Sequence, residues 1–277
     1  MRKNYIWKGL TLAFGLVFGL AVAGALASAD ARAEVKTRTI AYSEGGVALK
    51  GTLAWDDAAT TPRPGILVVH EWWGLDEYAI GRAKQLASEG YVAFAPDMYG
   101  DDKITKHAKQ AGEWMKQITS NVDAWRSRAM AGLDVLKAQK EVDADNLAAI
   151  GYCFGGATVM QMAYAGAPVK AVVSFHGSLP AAPADVKKVS ARVLVAHGRD
   201  DAFIPAENVT AFQKRLDETG AKWDMTIYSG VRHSFTNPGA DAIGKANGID
   251  NLKYDASADR SSWAAMHQML AETFGGL

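Results

Sequence analysis

Six short apolar runs recur along this chain: Gly65 to His70 (GILVVH), Tyr91 to Ala95, Leu147 to Ile150, Val169 to Phe175, Val193 to His197 and Met225 to Tyr228. Gly65 to His70 and Tyr91 to Ala95 read as strands buried on both faces and the others as short apolar strands, the pattern of a parallel sheet inside an α/β domain. Segments with apolar residues every three or four positions separate most of them. Strands alternating with amphipathic helices imply right-handed crossovers and a mainly parallel, twisted sheet with helices on both faces.

Two alternating segments precede these runs, Val35 to Tyr42 and Val47 to Ala54, with Gly45-Gly46 between them. They predict an antiparallel hairpin at the sheet edge, giving about eight strands in all. Asp76 is placed to cap a helix that runs to about Ser88, with Gly90 just past its end. Ile104, Ala108, Ala111, Met115 and Ile118 share one helical face, and Val122, Trp125, Ala129, Leu133 and Leu136 share another behind Asn121 as cap. Further helices are expected over Ala157 to Ala165, after Pro205, and from Ser257 to Phe274. Asn237 to Asp255, rich in Gly, Ala and Asp, reads as a long loop over one rim.

The first 33 residues differ in kind. Arg2, Lys3 and Lys8 lead into Leu10 to Ala27, which carries no charge, and small-residue sites follow at Ala25-Leu26-Ala27 and Ala31-Arg32-Ala33. This is the layout of a secretory signal peptide cleaved after Ala33 or Ala27, which implies a periplasmic or secreted protein whose single domain spans 34–277. The alternative is an uncleaved anchor, because the apolar run approaches bilayer length. Removing residues 1–33 leaves 26 basic against 29 acidic residues, a formal charge of −3. That balance, with no basic run, excludes a nucleic-acid partner, and no membrane association is expected after cleavage. A monomer is the simplest assembly. No H-x-x-x-H pair or thiolate set suggests a metal, and no cofactor is implied.

One cysteine is present, in Gly151-Tyr152-Cys153-Phe154-Gly155-Gly156, between an apolar strand and a helix. A strand-to-helix turn this tight needs glycine two residues either side of the nucleophile, where Cβ atoms would collide. The first N–H groups of the new helix then face the sulfur and favour negative charge there. The alternative reading of a lone cysteine is a small buried hydrophobe. In open parallel sheets sites gather at the carboxyl ends of strands. There the chain places Glu71, Cys153, Asp200-Asp201 and His233. The order Cys153, Asp201, His233 is that of nucleophile, orienting acid and base in α/β-hydrolases. His107 and His267 fall on helices; His70, His176 and His197 lie near strand ends.

Five stretches, GYCFGG at Gly151 to Gly156, VVHEWWGL at Val68 to Leu75, EGYVAFAPDMYG at Glu89 to Gly100, HGRDDAFIP at His197 to Pro205 and RHSFTNP at Arg232 to Pro238, together resemble the dienelactone hydrolase family. The resemblance implies an α/β-hydrolase fold with Cys153 as nucleophile, His233 as base and acid, and Asp201 as the orienting carboxylate. It implies further that Glu71 contacts the thiol and helps deprotonate it when substrate binds, that the backbone N–H groups of Phe154 and Trp72 form the oxyanion hole, and that Arg82 grips a substrate carboxylate. The family's dienelactone enzymes carry a second such arginine four residues after the histidine, where this chain has Asn237. The expected activity is cleavage of a small ester or lactone through an acyl-thioester. A general carboxylesterase or thioesterase and a non-catalytic exported binding protein are the alternatives.

Overall fold

The computed structural model describes Met1 and residues 34–276; the segment read as a signal peptide lies, but for Met1, outside the described residues. The first two strands, β1 (Val35–Glu44) and β2 (Val47–Asp56), form the expected hairpin, with Gly45 and Gly46 at φ 56° and 77° in the turn. Positive φ at both central positions is what a tight hairpin turn demands.

The remaining elements are β3 (Arg63–Val69), α1 (Glu77–Ser88), β4 (Val92–Pro96), α2 (Ala108–Thr119), α3 (Val122–Lys137), β5 (Val142–Tyr152), α4 (Phe154–Tyr164), β6 (Ala171–Phe175), β7 (Arg192–Gly198), α5 (Ala206–Glu218), β8 (Trp223–Tyr228), α6 (Ala240–Asn247) and α7 (Ala256–Phe274). One eight-stranded sheet runs in the order β1-β2-β4-β3-β5-β6-β7-β8. The β1–β2 and β2–β4 pairs are antiparallel and every later pair is parallel. The sheet is thus mainly parallel with an antiparallel edge, as the run of apolar strands implied, and the fold is the α/β-hydrolase fold that the resemblance implied.

Why both faces are covered can be read along β3. Leu67 and Val69 point into a core shared with Leu133 of α3, Met160 of α4 and Phe212 of α5. Ile66 and Val68 point the other way, against Leu86 of α1 and Met266 and Leu270 of α7. A period of two along a strand with both sides apolar requires helices on each side.

Three expectations are corrected. Asn237 to Asp255 is not a continuous loop: it holds α6, whose Ala240 packs with Trp73, Ala111 and Leu252 and whose Gly244 lets the chain fold back so closely that a Cβ would meet the Ile249 carbonyl oxygen at 2.8 Å. Its Gly and Asp content hid about two turns of amphipathic helix. Ile104 lies outside α2 and is exposed, because that helix begins at Ala108. β5 is eleven residues rather than four: its polar start pairs with Arg63 and Pro64 across a bulge before Gly65.

Candidate active site

The turn between β5 and α4 holds Cys153 at φ 53°, ψ −112°, a conformation that L-residues rarely adopt. The glycines explain how it closes. A Cβ at Gly151 would strike the Gly155 carbonyl, and one at Gly155 would strike the Val69 carbonyl on β3. The Cys153 N–H is shared between the Phe175 carbonyl at 3.0 Å and His176 Nδ1 at 3.2 Å, which pins the turn to the end of β6.

Asp201 follows β7 and His233 follows β8, and the two meet: His233 Nδ1–H donates to Asp201 Oδ2 at 2.7 Å. Both are buried. Asp201 Oδ1 accepts from Asn251 Nδ2 at 2.9 Å and from the Phe203 N–H at 3.0 Å, so every carboxylate lone pair in use orients the acid toward the ring. Asp200 is exposed and borders a separate cleft with Arg232. Burial works against charge on Asp201, but the bonds from His233 and Asn251 hold its carboxyl below the usual range. His233 has the converse balance: burial disfavours the imidazolium, and the neighbouring Cys153 and Asp201 outweigh it and raise its pKa well above the ordinary value. Its Nε2 is buried without a formed hydrogen bond, and the ring lines the same cavity as Cys153.

Glu71 is almost wholly buried, and both of its oxygens are taken. Ser234 Oγ donates to one and Asn237 Nδ2 to the other, each at 2.7 Å. Burial, opposed by those two bonds, pushes its pKa up to about 7. Among the described residues no hydrogen bond joins it to the thiol; Ser234 and Asn237 hold the carboxylate. His70 fixes the same loop from behind: Nδ1–H donates to the Glu71 carbonyl at 2.5 Å, Nε2 accepts from the Met98 N–H at 3.1 Å, and burial keeps the ring neutral. Tyr99 O–H donates to the Trp72 carbonyl at 3.0 Å.

Phe154 opens α4 and Trp72 stands just after β3; among the described residues neither N–H meets an acceptor. Both border a cavity of about 250 Å³ that also contains Cys153 and His233 and is walled by Met115, Phe203 and Ile204, with Ser178 at its edge.

Arg82 is the clear correction. It does not face this cavity. Its guanidinium donates to Asp259 Oδ1 at 2.5 Å, to the Thr236 carbonyl at 2.6 Å and to Gln85 at 3.0 Å, and lies over the rings of Trp263, Tyr78 and Tyr152. A buried cation with its donors occupied this way is part of the packing between α1 and α7.

Several contributors escaped the sequence reading. Ser234 and Asn237 lie in the RHSFTNP stretch but carry no signal of what they bind. Asn251 falls in the segment read as loop. His176, at φ 39°, accepts from the Cys153 N–H, so its Nε2–H donates to Thr236 Oγ1 at 2.7 Å, and Thr236 bonds Tyr78 O–H at 2.6 Å. Burial, with His233 adjacent, holds His176 neutral, well below the ordinary value. Among the described residues no cluster of three or more His, Cys, Asp or Glu side chains is arranged to hold a metal ion.

A cysteine at a strained strand-to-helix turn, with a hydrogen-bonded aspartate and histidine at the ends of two later parallel strands, is the arrangement of an α/β-hydrolase. The model of the dienelactone hydrolase family matches residues 49–274, and the chain belongs to that family and is a hydrolase. It is 29% identical over 209 residues to the protein usf of Aquifex pyrophilus, covering 72% of this chain and 86% of that one. A protein of Aquifex aeolicus named "Putative carboxymethylenebutenolidase" is 27% identical over 208 residues, with the same coverages. Among solved structures, a dienelactone hydrolase-like promiscuous phosphotriesterase from metagenomic libraries superposes with TM-score 0.82 at 37% identity, covering 86% of this chain and 98% of that one.

Proposed function

We propose that this chain is an exported hydrolase that cleaves a carboxylic ester or lactone through Cys153, His233 and Asp201 with an acyl-thioester intermediate. The observation that carries the reading is the 2.7 Å bond from His233 Nδ1–H to buried Asp201, which leaves Nε2 free on a ring that lines the same cavity as Cys153.

The steps follow from that placement. His233 Nε2 takes the thiol proton and the sulfur attacks the carbonyl carbon. The carbonyl oxygen becomes an oxyanion, received by the Phe154 and Trp72 N–H groups. The C–O bond breaks, and the imidazolium returns its proton to the departing oxygen. Water, deprotonated by the same nitrogen, then attacks the thioester carbon; the C–S bond breaks and the acid leaves. Asp201 holds the ring in the required tautomer throughout. Glu71, bonded to Ser234 and Asn237, acts as a positioning group for the loop that carries Trp72.

The test is turnover of activated esters and small lactones by the chain from Glu34 onward, beside Cys153→Ala. Loss of all but residual activity, on the order of 10³-fold or more, is expected for the variant; equal turnover by both forms sinks the proposal. Export has its own check, because the intact mass of the mature product should correspond to a chain beginning near Glu34.

A further inference from the structure

Only the acyl half of an ester becomes bonded to sulfur, so the cavity that contains Cys153 is the acyl site. Its wall is apolar: Trp72, Met115, Phe154, Phe203 and Ile204. Apart from the thiol and the His233 ring, Ser178 supplies its one polar side chain. Phe203 is 47% exposed and sets its edge against His233 with ring centroids 5.0 Å apart, extending the apolar wall to the mouth.

The cations that could receive an anionic acyl chain are engaged elsewhere. Arg82 is bound by Asp259 and the Thr236 carbonyl on the α1–α7 side. Arg232 donates to the Asp250 carbonyl at 2.9 Å and borders a separate, open cleft with Lys245 and Lys253. Asn237, the neutral residue nearest in sequence, has its amide spent on Glu71. Among the described residues no arginine or lysine lines the thiol cavity, and the charge of its one histidine is already paired with Asp201. A carboxylate placed there therefore loses water and gains no cation of its own, whereas an alkyl or aryl group gains by leaving water. A volume of about 250 Å³ lies below the roughly 300–1,000 Å³ typical of sites for larger ligands.

We infer that the acyl site takes small, uncharged, apolar acyl groups and rejects acyl groups that carry a carboxylate. This rests on the reading of Cys153 as the nucleophile, and it assigns Phe203 and Ser178 as specificity-determining positions on the mouth and wall.

Two measurements test it independently. The first compares kcat/KM for 4-nitrophenyl pentanoate and for the 4-nitrophenyl monoester of adipic acid, which differ by a terminal carboxylate on the acyl chain. The neutral ester is expected to be favoured by about tenfold or more. Ser178→Arg, at an exposed position that leaves the packing intact, should narrow that ratio by raising the charged ester alone. The second needs no turnover: Cys153, the single thiol, is alkylated with N-ethylmaleimide or with 3-maleimidopropionate, followed by intact mass and normalised to the rates with glutathione. The neutral reagent should be the faster. An adipate monoester turned over as well as the pentanoate, or equal normalised maleimide rates, overturns the inference. If no ester is cleaved, the hydrolase reading falls and the maleimide ratio alone decides the character of the cavity.

Discussion

Glu71 carries a cost that depends on pH. Burial raises its carboxyl from an ordinary 4.5 to about 7, against the pull of Ser234 and Asn237, which favour the ionised form. The folded chain therefore keeps this proton to about pH 7 while the unfolded chain releases it near 4.5. Between those values the folded state binds more protons, so stability falls as pH rises, and above about 7 the full penalty is in place. The gap corresponds to roughly 3 kcal/mol. Glu71→Gln keeps the shape and removes the titration. In urea unfolding, the fall in stability from pH 5 to pH 8 should be smaller for Glu71→Gln than for the parent; an unchanged fall contradicts the assignment. The sequence marked Glu71 by its place after a strand, and that place is where the structure has it. Which partner its oxygens choose depends on χ angles and on residues more than 160 positions away, and no local pattern carries that. Asn237, legible only as a departure from the family's arginine, is one of the two donors that hold it.

At the scale of elements, the turn at Cys153 depends on how closely α4 approaches β3. A Cβ on Gly155 would collide with the Val69 carbonyl oxygen and lie 2.8 Å from that of His70, both backbone atoms that cannot rotate away. Gly155→Ala is expected to destabilise the fold by at least about 2 kcal/mol and to displace the strand end that leads to Glu71 and Trp72, with loss of activity. Gly81, an exposed interior residue of α1 with nothing within 4 Å of its would-be Cβ, is the control. Gly81→Ala should stabilise by roughly 0.5–1 kcal/mol in the same thermal or urea measurement. Equal effects would show that helix propensity and not close approach governs the turn. Elements announced by local chemistry were the readable ones: Asp76 accepts from the Tyr78 and Ala79 N–H groups, and Asn121 from that of Ala124, as their positions ahead of apolar periods implied. α6 was hidden because eight residues whose apolar content is three alanines and one isoleucine owe their helix to packing with Leu252 and with Trp73, which is distant in sequence.

Across the whole molecule, Arg82 separates what a motif can say from what assembly decides. The resemblance made it a substrate ligand, and its position on α1 behind the Trp72-Trp73 loop was compatible with that. Asp259, 177 residues later on α7, bonds it instead at 2.5 Å, and both side chains are nearly sealed, at 10% and 12% exposure. Through this pair α1 and α7 are joined over the face of the sheet that holds Ile66, Val68 and Phe175. Removing the cation alone leaves Asp259 buried with the O–H of Tyr254 at 3.2 Å as its remaining side-chain donor. Breaking one side of a buried pair typically costs about 3–5 kcal/mol, while replacing both members by apolar groups of similar volume is often nearly neutral. Arg82→Met should therefore lower the urea midpoint strongly, and Arg82→Met with Asp259→Leu should recover most of the loss. A role in gripping substrate makes the opposite forecast: KM rises in Arg82→Met, stability is unchanged, and the second substitution repairs nothing. Recovery of stability in the double variant, with KM for neutral esters close to that of the parent, places Arg82 in the packing between the helices; a raised KM in both variants returns it to the site.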